Sequence, residues 1–430
     1  MPVFPLVGQG ARHAVQDLRL DHRLRFVESP RHANVLLLAG EFSGPLLRPA
    51  FRIHDQLPGP RATVWWPLGT HSARCARAWP DLKTVGGGAS SLVDAILECH
   101  RALLRGARPS DLPITPDVPP ARWDGVGPYG QGGKGMTGGT PYGRPLAGTA
   151  PDRDGMQLDQ LPVRLGPFSP VFPPGLILDV KLQGDVFQEV TAGRNPFGTE
   201  GAPTVRSDGV ELFLTAIDRP VSIRELELVR ARHHLRWCAE ALRLAGLGAF
   251  GLRALRLAAG LHPEGADEVR RFGVLLDRLR AIAPAMAGVG MLAEAALGPD
   301  VTGPVARASG RVEDARMGDP GYLALGFEPI TQRAGDAQAR WRQRFAETLL
   351  ALGLAGRAQA ARTVQTGEVE SPWGRVTVDR SPMTPLVALL PRLLTGQEWG
   401  DAMTAIVSLD LDLDAGARMP TGRRPESAAA

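Results

Sequence analysis

Cysteine is scarce in this 430-residue chain, which contains only Cys75, Cys99 and Cys238. Three widely spaced cysteines cannot form a disulfide framework, and their spacing matches no zinc or iron–sulfur motif. The sequence therefore predicts a protein without a metal centre of its own. It also favours a reducing, cytoplasmic setting, because stable disulfides are rare there.

Long apolar runs and concentrated charge are missing as well. The most apolar window, residues 281–298, is interrupted by Pro284 and Glu294, which indicates a buried helix rather than a membrane span. The N-terminus lacks the basic flank and apolar core of a signal peptide, so we expect contact with a membrane only through partners. The formal net charge is +4 without a basic stripe, which predicts no nucleic-acid partner. Only three of the 49 basic residues are lysine, which we interpret as coding bias.

The composition that remains is that of a folded protein with two domains. Hydrophobic residues make up 43% of the chain and charged residues 22%, and this length exceeds one ordinary core. We predict the two domains at residues 1–106 and 151–415. A linker or docking loop rich in proline and glycine is predicted at 107–150, and a disordered tail at 416–430.

The first domain has the pattern of a doubly wound α/β fold. Continuous apolar runs at residues 33–40 and 62–67 are typical of strands that are buried on both faces of a parallel sheet. Helical spacing at residues 45–57 and 90–104 alternates with them. This order of strands and helices predicts a small parallel sheet with helices packed on it.

The second domain is predicted to be α+β, with a small β region before a helical bundle. Alternation between residues 161 and 190 indicates strands, and Gly184-Asp185 is placed at a hairpin turn. Longer helical patterns follow at residues 222–258, 264–297, 336–361, 385–395 and 398–408.

A glycine-rich stretch at residues 127–139 is similar to a phosphate loop. However, Pro128 stands where such a loop needs its first glycine, and Gly135 replaces the serine or threonine that holds magnesium. No glycine fingerprint follows a strand in the manner that NADH binding needs. We therefore predict no nucleotide and no other cofactor on this chain.

A series of short motifs runs through both predicted domains. They are Ser29–Gly40, Pro49–Pro58, Leu68–His71, Gly166–Pro170, Val301–Gly310 with Asp314 and Arg316, Gly335-Asp336 with Glu347, Glu370–Gly374 and Ser408–Asp410. On the first three motifs, the first domain resembles the small, cluster-bearing subunit of respiratory complex I and of nickel–iron hydrogenases. On the others, the second domain resembles their large subunit, which in complex I forms the quinone cavity against the small one.

The resemblance implies an iron–sulfur site that has lost its ligands. In the small subunit a tandem cysteine pair, a Gly-Ser-Cys and a Pro-Gly-Cys hold a four-iron cluster, and this chain has no Cys-Cys pair. His71 stands in the second ligand position and Gly88 in the third. Because a cluster needs about four thiolates or a rare histidine substitution, we predict none.

The large-subunit resemblance implies a similarly degenerate site. The two Cys-x-x-Cys pairs that hold nickel and iron in hydrogenases are missing, which excludes that centre because it requires soft thiolate ligands. Ser169 takes the place of a histidine that hydrogen-bonds the quinone head group in complex I, and His234 matches a family helix position. We predict that Ser169, His71 and His234 mark the former cavity, and we predict no catalytic residue and no metal ligand.

Charged residues of the second domain are predicted to form ion pairs at the interface between the domains. The candidates are Arg307, Asp336, Arg340 and Arg344. The last three follow each other at four-residue steps, which places them on one helix face and allows Asp336 to pair with Arg340.

Two further clusters allow more than one interpretation. His233, next to His234, is predicted to be structural rather than catalytic. The acidic residues Asp410, Asp412 and Asp414 could bind a hard cation or could lie on a solvated strand edge or tail.

The resemblance implies a structural, redox-inactive subunit of a membrane-attached, complex I-like assembly that translocates ions. Its expected partners are other complex I-like subunits, including membrane proteins of the antiporter type, at the inner face of the cell membrane. Two alternatives remain open: a quinone-reacting oxidoreductase subunit with a remodelled cavity, and a free-standing protein that binds a small ligand.

Overall fold

A five-stranded parallel sheet forms the centre of the N-terminal region. The computed structural model describes residues 1–42, 44–68, 79, 82–108, 148–152, 154–197, 210–279, 286–358, 361–363, 367–377 and 380–418. The strands follow the order β2-β1-β3-β4-β5, and all adjacent pairs are parallel. Their bounds are β1 Pro2–Val7, β2 Arg25–Phe26, β3 Val35–Ala39, β4 Ala62–Trp66 and β5 Leu82–Thr84. The predicted parallel α/β sheet is confirmed.

Both faces of this sheet are covered, because every residue of β3 and β4 is buried. In the part of this region that the structure describes, three helices accompany the strands: α1 Arg12–Leu18, α2 Gly44–His54 and α3 Ala89–Leu104. Val35 and Leu37 pack in one apolar cluster with α1 and α3. Leu36 and Leu38 belong to another, which contains residues of α2 and also Phe168 from the C-terminal region. One apolar core is thus shared by the N-terminal and C-terminal regions.

The C-terminal region begins with an antiparallel sheet in the order β6-β7-β8-β9. Its strands are β6 Gly148–Pro151, β7 Gln157–Leu165, β8 Leu178–Gln183 and β9 Val186–Ala192. The predicted hairpin turn at Gly184-Asp185 is confirmed. The predicted linker is wrong at its end, because residues 148–150 pair with β7; residues 109–147, with the Gly-rich stretch, lie outside the described residues.

Helices make up most of the remaining chain, with two small antiparallel strand pairs among them. The strand pairs are β10 Val221–Ser222 with β11 Arg362–Thr363, and β12 Glu368–Ser371 with β13 Gly374–Thr377. The helices are α4 Val210–Ala216, α5 Ile223–Leu244, α6 Gly248–Ala259, α7 Ala266–Leu279, α8 Gly303–Ala308, α9 Pro320–Ala324, α10 Ala337–Arg357, α11 Met383–Ala388, α12 Leu390–Leu394, α13 Trp399–Leu409 and α14 Leu413–Arg418.

Two helices were predicted to continue through positions at which glycine residues turn the chain, and these predictions are wrong. The predicted helix 222–258 is divided into α5 and α6, because Gly246 has a φ of +79° and ends α5. The helix predicted at 281–298 is not formed beyond residue 286, apart from a 3-10 turn at Glu294–Ala296. There Gly288 and Gly290 also have positive φ. Helix α14 extends to Arg418, which lies inside the predicted tail at residues 416–430.

No helix in the described ranges is both long and apolar enough to cross a membrane.

Candidate functional site

A cavity lies where the N-terminal sheet meets the C-terminal region, and about 920 Å³ of empty space, part of it open to solvent, belongs to it. β1 and α1 line one side, and the other side is formed by residues 167–174, α5 and the end of α13. Phe4, Phe168, Phe172 and Trp237 contribute much of the apolar lining. A concave, mainly apolar space with a few polar groups is typical of a ligand-binding site.

Ser169 lies in the lining of this cavity, and its predicted place in a former quinone cavity stays a prediction. Its loop leaves β7 through Gly166, whose φ is +86°. A Cβ atom there would lie 1.8 Å from the carbonyl oxygen of Leu176, so only glycine permits this path. Gln16 of α1 also lines the cavity, and its Oε1 atom is buried without a hydrogen-bond partner among the described residues.

The acidic segment after α13 joins the two regions at the polar end of the cavity. Arg12 of α1 lies 3.4 Å from Asp410 and 3.3 Å from Asp412, and it donates a hydrogen bond to the Leu411 carbonyl at 3.0 Å. The Gly10 amide donates to Asp414 at 2.7 Å. All three aspartates are buried, so the prediction of a solvated edge or tail is wrong. Burial is possible here because Arg12 and the Gly10 amide compensate the three carboxylates.

His233 lies behind this contact and binds Asp410. Its Nε2 atom is 2.7 Å from Asp410 Oδ2, and Arg344 Nη1 is 3.8 Å from the same oxygen. Burial alone would raise the pKa of Asp410, but His233, Arg344 and Arg12 lower it below its usual range.

His233, His234 and Asp410 form a group whose ligand atoms lie within 4.8 Å of one another, which is a spacing that a metal ion could use. Two guanidinium groups, those of Arg12 and Arg344, already face the Asp410 carboxylate. A divalent cation would add uncompensated positive charge at this buried position. The arrangement therefore favours an ion-pair network over a metal site.

His234 does not belong to the described lining of the cavity and is buried between helices α5 and α10. Its Nε2 atom lies 3.7 Å from Glu347 Oε2. Burial lowers the pKa of His234 to about 4, although Glu347 raises it, so the ring is neutral at neutral pH. The described residues do not include His71, and its predicted role stays a prediction.

A fully buried ionic cluster lies on the far side of His234, and Arg307 is at its centre. Arg307 contacts Glu347 at 2.9 Å, Asp314 at 2.8 Å and Glu370 at 2.7 Å. Arg316 pairs with Asp314 and Glu227. The observed partners of Arg307 all belong to the C-terminal region, so the structure places this residue inside that region.

The other predicted interface residues have mainly backbone partners. Asp336 begins α10 by accepting hydrogen bonds from the amides of Ala339 and Gly288. Arg340 donates to the carbonyls of Gly335 and Gly290 and to Ser408 Oγ. The predicted ion pair between Asp336 and Arg340 is therefore not formed in the described part of the chain.

Arg344 lies nearest to the contact between the two regions. Its guanidinium group stacks 5.1 Å from the ring of Trp237, and it donates to the Leu409 carbonyl at 2.9 Å. Trp237 and Asp410, two of its neighbours, line the cavity. Of the four predicted interface residues, Arg344 is the one that contacts residues of the cavity lining, Trp237 and Asp410.

Arg12→Met is expected to loosen the attachment of the acidic segment to α1, because two carboxylates and one carbonyl lose a shared donor. We expect amide hydrogen exchange at residues 410–414 to accelerate about tenfold. Arg23→Met is the matched control, since Arg23 pairs with Asp21 inside the N-terminal region. Equal protection of the segment in both variants would contradict this role of Arg12.

Comparison with known proteins identifies part of the C-terminal region. Residues 261–377 match the family model described as respiratory-chain NADH dehydrogenase, 49 Kd subunit. This range contains Arg307, Glu347 and Glu370 of the ionic cluster. The chain therefore carries a region of the large-subunit family of complex I and nickel–iron hydrogenases, and the predicted resemblance is confirmed for this region.

The chain is also similar to a chain of a solved structure, whereas it matches no curated protein. A chain in the structure of the membrane-bound sulfane sulfur reductase (MBS), an archaeal respiratory membrane complex, is 18% identical, with a TM-score of 0.44. The match covers 60% of this chain and 99% of that chain.

Proposed function

We propose that the chain is a redox-inactive, structural subunit of a membrane-attached, complex I-like assembly that translocates ions. The observation that carries this proposal is the large-subunit match over residues 261–377. Its partners are other subunits of the assembly, including membrane proteins of the antiporter type, and it reaches the inner face of the membrane through them.

We propose a lack of redox chemistry because the sequence offers too few cysteine ligands for a metal centre. Iron–sulfur clusters and nickel–iron centres need several thiolates in close spacing, whereas the chain has three separate cysteines. Of these, Cys238 is buried, and burial raises the pKa of its thiol well above the ordinary value, which keeps the thiol protonated.

The contact between the two regions supports a structural role. Arg12 and the acidic segment 410–414 hold the N-terminal sheet against the C-terminal region, and the shared apolar core contains Leu38 and Phe168. Covalent linkage raises the effective concentration of the two halves for one another and fixes their ratio. Such a unit presents one preassembled surface to partners.

The cavity supports a second candidate, a subunit that binds quinone in a remodelled site. The observation in its favour is the lining by Ser169 and Gln16 at the contact between the regions. The same cavity would serve a free-standing protein that binds another small ligand.

Chemical analysis of the chain purified from its native cells separates these functions. The structural proposal predicts no iron or acid-labile sulfide in stoichiometric amount, no quinone in an organic extract, and recovery from the membrane fraction. Stoichiometric quinone or iron would favour the oxidoreductase subunit instead. Recovery of a monomer from the soluble fraction alone would favour the free-standing binding protein.

A further inference from the structure

The hairpin formed by β6 and β7 extends past the rest of the antiparallel sheet. Residues 157–160 of β7 pair with β6, whereas β8 pairs with β7 from Leu161 onwards. Within the described residues, this first part of β7 therefore has β6 as its only neighbouring strand. We call residues 148–161 the arm; all of them except residue 153 are described.

Hydrogen bonds give the arm a defined shape. At its turn the Asp152 amide donates to the Met156 carbonyl at 2.8 Å, and the Met156 amide donates to Asp154 Oδ1 at 3.0 Å. Gln183, at the end of β8, donates from Nε2 to the Ala150 carbonyl at 2.7 Å, which ties the arm to the sheet. A surface that is ordered before binding loses less conformational entropy when a partner docks on it.

The arm exposes large apolar side chains. Met156 is 61% exposed, Leu158 39% and Leu161 61%. Ten large hydrophobic side chains are exposed in the described part of the chain, and these three lie within six consecutive positions. Exposed apolar side chains that lie together are typical of an interaction site. A two-stranded hairpin is also only marginally stable in water unless other groups pack on it, so a partner that covers these side chains would stabilise the arm.

The charge of the arm indicates which kind of partner covers it. Its sequence contains Asp152, Asp154, Asp159 and one basic residue, Arg153. The arm thus carries a net charge of −2, opposite in sign to the +4 of the whole chain. Asp154 and Asp159 are exposed. Such an arm repels nucleic acids and anionic lipid surfaces and attracts a protein surface that carries basic residues.

We propose that the arm is a docking site for another protein subunit, which receives it on a surface that is apolar at its centre and carries lysine or arginine around it. This inference rests on the proposed function, since the partner is a subunit of the same assembly. It adds the part of the chain that the partner contacts and the chemistry of the partner's surface.

Co-purification with a tagged chromosomal copy of the chain tests the apolar contact. The double variant Met156→Gln/Leu161→Gln is expected to recover about tenfold less of the other subunits per chain than the wild type. Both side chains are exposed, so its urea unfolding midpoint is expected to equal that of the wild type. Leu104→Gln on α3, at a position that is 75% exposed, is the matched control and is expected to recover them fully. Equal recovery with the double variant and the control would overturn the proposal.

A charge reversal tests the basic surface of the partner. Asp159→Lys is expected to lower the recovery of the other subunits, because it places two positive surfaces against each other. Asp277→Lys, at an exposed position of α7, is the matched control and is expected to leave the recovery unchanged. Equal recovery with both variants would contradict a basic docking surface.

Photocrosslinking identifies what the arm contacts. With benzoylphenylalanine in place of Met156 in the tagged chain, we expect a crosslink to a subunit that co-purifies in fixed ratio, in a peptide with apolar and basic residues. A crosslink to a second copy of the chain, a crosslink to residues 109–147 of the chain itself, or no crosslink would overturn the proposal.

The wild-type purification separates a failure of this inference from a failure of the proposed function. If no subunit co-purifies with the wild type, the proposed function is wrong and the docking inference is wrong with it. If the same subunits co-purify equally with the wild type and with Met156→Gln/Leu161→Gln, the proposed function stands and the docking inference alone is wrong.

Discussion

Arg307→Met is expected to lower the free energy of unfolding by about 4 kcal/mol. Arg307 is fully buried and contacts three carboxyl groups, those of Glu347, Asp314 and Glu370. Methionine keeps an apolar side chain of similar length but leaves these groups without their shared cation. Breaking a buried ionic network from one side is costly because the remaining charges stay desolvated.

The control for this experiment is the same substitution at an exposed pair. Arg164 makes two hydrogen bonds to Asp179 on the surface of the antiparallel sheet, and its side chain is 69% exposed. Arg164→Met is expected to leave the urea midpoint unchanged, since solvent screens exposed ion pairs. If both variants lose the same stability, burial does not determine the contribution of Arg307.

The stability of the chain is expected to fall as the pH is lowered from 6.5 towards 4. In the unfolded chain His234 binds a proton near its ordinary pKa of 6.5, but in the native state burial lowers the pKa to about 4. The unfolded state therefore binds more protons in this window, and the free energy of unfolding falls by up to about 3 kcal/mol from this residue. Burial and Arg236 also lower the pKa of His13, which adds to the effect.

Other groups act in the same range, so a variant is needed to isolate His234. The raised pKa of Glu370 opposes the slope, and the lowered pKa of Asp410 contributes only near the acid end. We expect His234→Gln to flatten the dependence of the urea midpoint on pH, while the exposed control His262→Gln preserves it. An unchanged slope in His234→Gln would show that the histidine is not held neutral.

The parallel sheet could be predicted where strands are buried on both faces, but β1 could not. β3 and β4 are continuous apolar runs, which is the pattern of such strands. β1 contains Pro5, which argues against a strand with neighbours on both sides. The structure resolves this because β2 pairs only with Pro2 and Val3, so β1 has only β3 beside it at Pro5.

Helix ends were predicted less well than helix positions, and Gly246 shows the reason. Its positive φ is compatible with glycine and ends α5. The apolar pattern continues through this turn, because α5 and α6 pack in the same core through Leu242 and Leu255. Periodicity alone therefore predicted one helix where the chain forms two.

The contacts at the polar end of the cavity could not be predicted from local sequence patterns. Arg12 and Asp410 lie 398 positions apart, and the alternate spacing of the aspartates is equally compatible with a solvated edge. A motif surrounds Ser169 and suggested it as a candidate, whereas nothing local marks Gln16. Asp410 itself has a φ of +55°, a rare conformation that its contacts with Arg12 and His233 stabilise.

The most direct test of the proposed function is to identify what the chain binds in its own cells. A tagged chromosomal copy is purified from membranes solubilised in mild detergent, and the co-purifying proteins are identified by mass spectrometry. The account predicts complex I-like subunits, including membrane proteins of the antiporter type, in fixed ratio to the chain. Recovery of the chain by itself, from the soluble fraction, would contradict it.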